Sequence, residues 1–254
     1  MNLLSKRTRY IVAVAALLVL MMSSVTGAAA ASSAPNLVVY WKFDTGSGYS
    51  VGDASDNNHS GGFFTSSANP PQFTSSVAPN INFTNPYALN LVGTSHQYVS
   101  AGTGISLANT SFTVMAWAKR STTAGKQWVI GYGTNSMDKA LVLGFRDNDH
   151  VTCAFFGDDV DTTIAFADTN WHHLACTYDV ATRQRVVYVD GIGWKMDGSA
   201  AIQADGVFNV GRVPWGEGYF SGTIDDMRVY NRALSPAEIA WLAKGNLDTP
   251  LIIL

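Results

Sequence analysis

Trp171-His172-His173-Leu174-Ala175-Cys176-Thr177-Tyr178 (WHHLACTY) reads as one long β-strand, and residues 185–189 (RVVYV) read as a second. Asp190-Gly191 follows as a hairpin turn, because that pair tolerates positive φ. Working outward, the same signal recurs. Residues 37–43 (LVVYWKF), 111–119 (SFTVMAWAK), 127–132, 140–145 and 151–156 are strand-like, as are 164–166, 207–210 and 222–230. Shorter strands fit 87–91 and 97–99. Between them lie turn clusters, a polar loop at 44–62, and an irregular stretch at 66–86 that Pro70-Pro71 interrupts. One helix stands out near the end. Ser235 is its N-cap, Pro236 its first residue, Glu238 closes a capping box, and Gly245 stops it. Many short strands with turn signals and one late helix predict an all-β, two-sheet antiparallel sandwich.

The first 31 residues carry a different pattern. Lys6, Arg7 and Arg9 precede an unbroken apolar run at 11–22, and Ala28-Ala29-Ala30 offers a small-residue cleavage site. This is the order of a secretory signal, with a retained anchor as the alternative. The reading is a signal peptide at 1–31 and one domain at 32–254, secreted or periplasmic. No membrane insertion is expected once the signal is cleaved. Cleavage would take the formal net charge from −3 to about −6. No basic cluster remains for nucleic acid, so that partner class is excluded. The acids comprise seventeen Asp and only two Glu, Glu217 and Glu238. Asp suits turns and oxygen-rich calcium loops. An oxidising destination permits a disulfide between Cys153 and Cys176; the alternative is two buried thiols.

The series YWKFDTGSG, DASDNNHSGG, SFTVMAWAK, WHHLACTYD, VYVDG and YFSGTIDDMRVYNRALSPAEIAWL resembles laminin-G-like jelly-roll domains. These belong to the concanavalin-like lectin and glucanase superfamily. The resemblance runs from about Val38 to Lys244. It implies two face-to-face sheets in a jelly roll, and it does not imply one function. It also implies a structural calcium at Asp44, at Asp53 with Asn57, and at Asp225. Asp56 stands where relatives usually have Gly. An Asx-rich turn without metal is the competing reading.

Aromatic rings in loops stack on sugar faces. Trp215 and Tyr219, in the glycine-rich loop 211–222, and Trp194, after the Asp190-Gly191 turn, are the candidate carbohydrate-binding rings; the competing reading is that they cover the rim of the sandwich. Asn135, Asp138 and Arg146 are candidate polar companions, while Trp41, Trp117 and Trp171 belong to strands and are expected in the core. A pair of alternating Glu on one strand, usual for glycosidases of this superfamily, is missing. Asp225-Asp226 and His172-His173 are adjacent on strands, which points each pair to opposite faces. Asp158, Asp159 and Asp161 read as a solvated turn, with a second metal loop as the alternative. Asn58, Asn82 and Asn109 begin N-x-S/T sequons.

The expectation is a secreted, calcium-stabilised module, not an enzyme, that binds a glycan or an extracellular protein. The alternatives are a small polysaccharide-degrading hydrolase or lyase, and an adhesion protein with no small-ligand site.

Overall fold

The computed structural model of the protein describes residues 36–79, 81–203 and 205–246. The leader at 1–31 therefore lies outside the described residues. The strands run β1 (Leu37–Trp41), β2 (Ser50–Val51), β3 (Gly61–Phe64), β4 (Gln72–Thr74), β5 (Ala88–Leu91), β6 (Tyr98–Gly102), β7 (Phe112–Arg120) and β8 (Gln127–Gly133). Then come β9 (Ala140–Phe145), β10 (His150–Ala154), β11 (Asp159–Ala165), β12 (Trp171–Asp179), β13 (Gln184–Val189), β14 (Ile192–Asp197), β15 (Val207–Val210) and β16 (Gly222–Tyr230). A short helix, α1 (Pro236–Leu242), follows.

The strands form two antiparallel eight-stranded sheets. The first runs β14-β13-β12-β7-β16-β5-β4, with β1 also on β16. β1 and β5 share one edge of β16, opposite its C-terminal and N-terminal halves respectively. The second runs β11-β10-β9-β8-β15-β6-β3-β2.

Side-chain alternation sorts the second sheet into rows. Phe63, Val99, Val210, Ile130, Leu143, Cys153 and Val160 are cross-strand partners in one row, and all face the core. The neighbouring row faces outward: Gly62, Ser100, Asn209, Gly131, Val142, Ala154 and Asp159. Most of these side chains are small, so the outer face is a trough.

Cys153 and Cys176 are joined in a disulfide, with Cα atoms 5.9 Å apart. It links β10 of the second sheet to β12 of the first, across the core. Trp41, fully buried, sits in the same core and meets Phe43 and Phe208 edge-on.

The helix covers the outer face of the first sheet. Ile239 and Leu242 pack on Met115, Ala175 and Tyr188. Its capping box is present as the sequence predicts, with Ser235 and Glu238 bonded reciprocally. Arg232 adds two bonds to the Glu238 carboxylate, at 2.6 and 3.0 Å.

Two local expectations change. Asp159 and Asp161 lie on strand β11, paired with Arg146 at 2.8 and 2.9 Å, so the Asp158–Asp161 segment is not a solvated turn. Asp225 and Asp226 do not obey simple alternation. A β-bulge at Asp226, φ 50°, lets both Ile224 and Met227 enter the core. Both acids are buried, and Asp226 bonds Arg228 at 2.9 Å. The histidine pair does split: His173 is buried against Trp117, while His172 lies between Asp168 and Asp190 at 3.1 and 2.7 Å. Among the described residues no helix is long and apolar enough to cross a membrane.

Candidate functional site

The outer face of the second sheet holds a cavity of about 290 Å³. Its floor is Trp128 on β8, Val142 on β9 and Ala154 on β10, which cluster with Val213. Trp215, Phe156 and Met137 form walls, with the Phe156 and Trp215 rings edge-to-face at 5.9 Å. Met137 is 66% exposed, at the mouth. Lys126, Arg146, Asp159 and Glu217 supply charge.

The loop between β15 and β16 builds this wall because glycine lets it lie flat on the sheet. A Cβ on Gly131 would sit 2.5 Å from the Arg212 carbonyl oxygen. One on Gly218, φ 61°, would sit 2.2 Å from the Trp128 indole. Any larger residue at either position would lift the loop. The indole Nε1 atoms of Trp128 and Trp215 are both buried without an acceptor. Such donors are costly to leave unmade.

The three nominated rings fall in three places. Trp215 lines the cavity. Tyr219 stacks on His96 at 4.5 Å, and its hydroxyl accepts from Arg212 at 3.0 Å, further along the same sheet face. Trp194 donates to Thr163 at 2.8 Å and packs on Phe166 and the core, away from both. Of the nominated companions, Arg146 lines the cavity, and Asn135 and Asp138 do not. Trp128, Phe156 and Met137 are additions that the sequence reading lacked.

The nominated calcium ligands divide in two. Asp53 organises its own loop: its carboxylate accepts the N–H groups of Tyr40, Ser55 and His59, each at 2.9 Å. Burial opposes its charge, but these bonds outweigh it and hold the carboxyl below the usual range. Asn57 turns its amide nitrogen to the Leu37 and Val38 carbonyls. Asp44 and Asp225 differ. Each has a buried carboxylate oxygen, Oδ1, with no hydrogen-bond partner, and the two interact electrostatically. Burial, with Asp226 and Asp44 adding, pushes Asp225 up to about 7 against bonds from Ala78 and Asn85. Among the described residues no three His, Cys, Asp or Glu side chains converge as a metal cluster.

Solved structures share this fold. Domain 4 of the arabinanase AbnA from Geobacillus stearothermophilus aligns at TM-score 0.65 and 20% identity, over 82% of this chain and 98% of that one. The binding domain of Paraclostridial Mosquitocidal Protein 1 aligns at 0.60 and 14%, over 82% of this chain and 52% of that one. Trypanosoma rangeli sialidase aligns at 0.55 and 20%, over 82% of this chain and 32% of that one. Such identities carry the fold alone, and the neighbours include both binding and enzyme domains. No curated protein sequence matches. Residues 93–240 match a laminin G-like family model, and the chain belongs to the concanavalin A-like lectin/glucanases superfamily.

Proposed function

We propose that this protein is an exported recognition module that binds carbohydrate in the cavity on the outer face of its second sheet. The observation that carries the reading is Trp215: an aromatic wall whose indole N–H is buried without an acceptor, over an apolar floor ringed by charged groups. A sugar presents an apolar ring face and many acceptor oxygens, which is the complement of that surface. The arabinanase domain with the same fold was solved with arabinotriose, which adds support. The test is a glycan array on the mature protein, followed by titration of the best binder. Trp215→Ala should weaken that binder about tenfold, the worth of one stacking aromatic. An unchanged affinity would move the site elsewhere.

Hydrolysis is the second reading, because Asp159 and Glu217 line the same cavity. Asp159 is ion-paired with Arg146 at 2.8 Å, which suits a fixed carboxylate better than a proton donor. Products released from any bound oligosaccharide on long incubation, and lost in Glu217→Gln, would replace binding with catalysis.

We further propose a structural calcium at Asp44 and Asp225. Their unpartnered oxygens fit a hard cation, which prefers oxygen ligands. Bound calcium would supply charge neutralisation there and tie the first loop to the last strand. Chelator should lower the melting temperature, and Asp225→Asn should abolish that response. A melting temperature indifferent to chelator removes the metal.

A further inference from the structure

Arg212 stands apart from the other arginines in the described structure. Arg120, Arg146, Arg185, Arg228 and Arg232 each meet a carboxylate, at 2.6–3.3 Å. Arg183 donates to the carbonyls of Gly198 and Ser199. Arg212 meets neither. Its guanidinium lies over the Tyr98 ring at 3.6 Å, and its one hydrogen bond runs from Nη1 to the Tyr219 hydroxyl at 3.0 Å. Its Nε is buried without an acceptor, as are those of Arg120, Arg185 and Arg228. A half-buried guanidinium in this state lacks a counter-ion.

The surroundings hold the guanidinium still. Tyr98 on β6 is the cross-strand partner of Phe64 on β3, and their rings stack at 5.0 Å and 13°. Phe64, Tyr98 and Arg212 thus form one column, with Phe64 46% exposed at its end. Tyr219, stacked on His96, braces the other side. A planar fork held by aromatic faces, with Nη1 bonded once to Tyr219 and Nη2 left without a bond, presents its Nη end to a carboxylate. The column is on the same outer face as the cavity, over β6 and β3 where the cavity lies over β8 to β10, and Arg212 belongs to the same loop as Trp215. Strands β3 to β8 are three steps apart, about 14 Å at ordinary spacing. One oligosaccharide can reach both.

We propose that this face selects acidic glycans, with Arg212 reading a sugar carboxylate. The proposal rests on the carbohydrate reading of the same face and adds the ligand's charge. With a formal net charge of −3, the protein as a whole does not attract polyanions, so the selection is local to Arg212.

The experiment uses a panel of oligosaccharides, each as free acid and as methyl ester: galacturonate, glucuronate, mannuronate, guluronate and sialyl forms. Sulfated and neutral glycans are included. The tightest binder should be a carboxylate sugar, its ester should bind at least tenfold more weakly, and Arg212→Gln should erase the difference while Phe64 and Trp215 stay in place. Should Arg212→Gln disturb folding, Arg212→Lys keeps the charge without the fork and should retain only part of the preference. Three results overturn the proposal alone: a neutral tightest binder that still needs Trp215, equal binding of acid and ester, or a sulfated glycan that outbinds every carboxylate. Failure of every glycan overturns this proposal together with the carbohydrate reading.

Discussion

The two sheets have similar strands but opposite outer faces. The first sheet is sealed by its own chain: helix α1 covers Met115, Ala175 and Tyr188, and Ala78 and Asn85 bond the Asp225 carboxylate from an adjoining loop. Its polar groups are consequently internal. Arg228 is 1% exposed and binds Asp226, the Tyr40 hydroxyl and the Asn246 carbonyl. The second sheet is covered in part, by the loop between β15 and β16 with Met137 and Phe156 from neighbouring connections, and an apolar cavity ringed by charged groups stays open between them. Polar residues under a complete cover maintain the fold, and those under a partial cover are available to a ligand.

The strongest way to break this contrast is at Arg228. Arg228→Ala leaves Asp226 buried without its ion-pair partner, and should cost about 3–5 kcal/mol of stability. Chemical denaturation measures it. Trp215→Ala on the other face should leave stability nearly unchanged and act on binding. If both variants lowered stability alike, the second face would be as structural as the first.

The disulfide comes next. Cys153 and Cys176 enclose a 23-residue separation, so loop-closure entropy assigns the bond about 3 kcal/mol. The double Cys→Ala variant should fall by about that amount while keeping its glycan affinity, because the bond lies behind the binding face. A loss of affinity greater than the loss of folded protein would show that the bond positions the cavity.

Much of the fold was legible because the strong strands obey period two. Residues 207–210 and 222–230 match β15 and β16 in both bounds, and the Ser235–Glu238 box marks the helix. Strand β14 was missed: Ile192–Asp197 alternates Ile192, Trp194 and Met196 with Gly193, Lys195 and Asp197, but it lies at the sheet edge, where Gly193 and Lys195 weaken the strand signal. The site was less legible for a related reason. Strict alternation puts Trp128 on the side of Ile130, inside. A register shift between them turns Trp128 outward and keeps Val129 and Ile130 in the core. Nothing in QWVIGYG announces that bulge. Trp215 was legible because a tryptophan in a glycine-rich loop has no packing role to explain it. The disulfide's feasibility was open until Cα positions were known, since sheet pairing across the core does not show in the chain order.

The smallest effect tests the cover on the first face through pH. Arg232, with the Ser235 N–H and hydroxyl, holds the Glu238 carboxyl down at about 2 against burial. Its ordinary value is 4.5. A depressed folded pKa means stability that is full above the unfolded value and lost as pH falls through the folded one. Stability should therefore decline between pH 4.5 and about 2 as this box is protonated. Arg232 is 31% exposed, so solvent screening discounts the ion pair and leaves about 1 kcal/mol, the worth of a good cap. Glu238→Gln should cost that amount at pH 7 and flatten this part of the acid limb. Because α1 packs on the first sheet's outer face, away from the cavity, glycan affinity at pH 7 should not change. An affinity change in Glu238→Gln would mean that the sealed face and the open face communicate through the core, and the division between them would have to be redrawn.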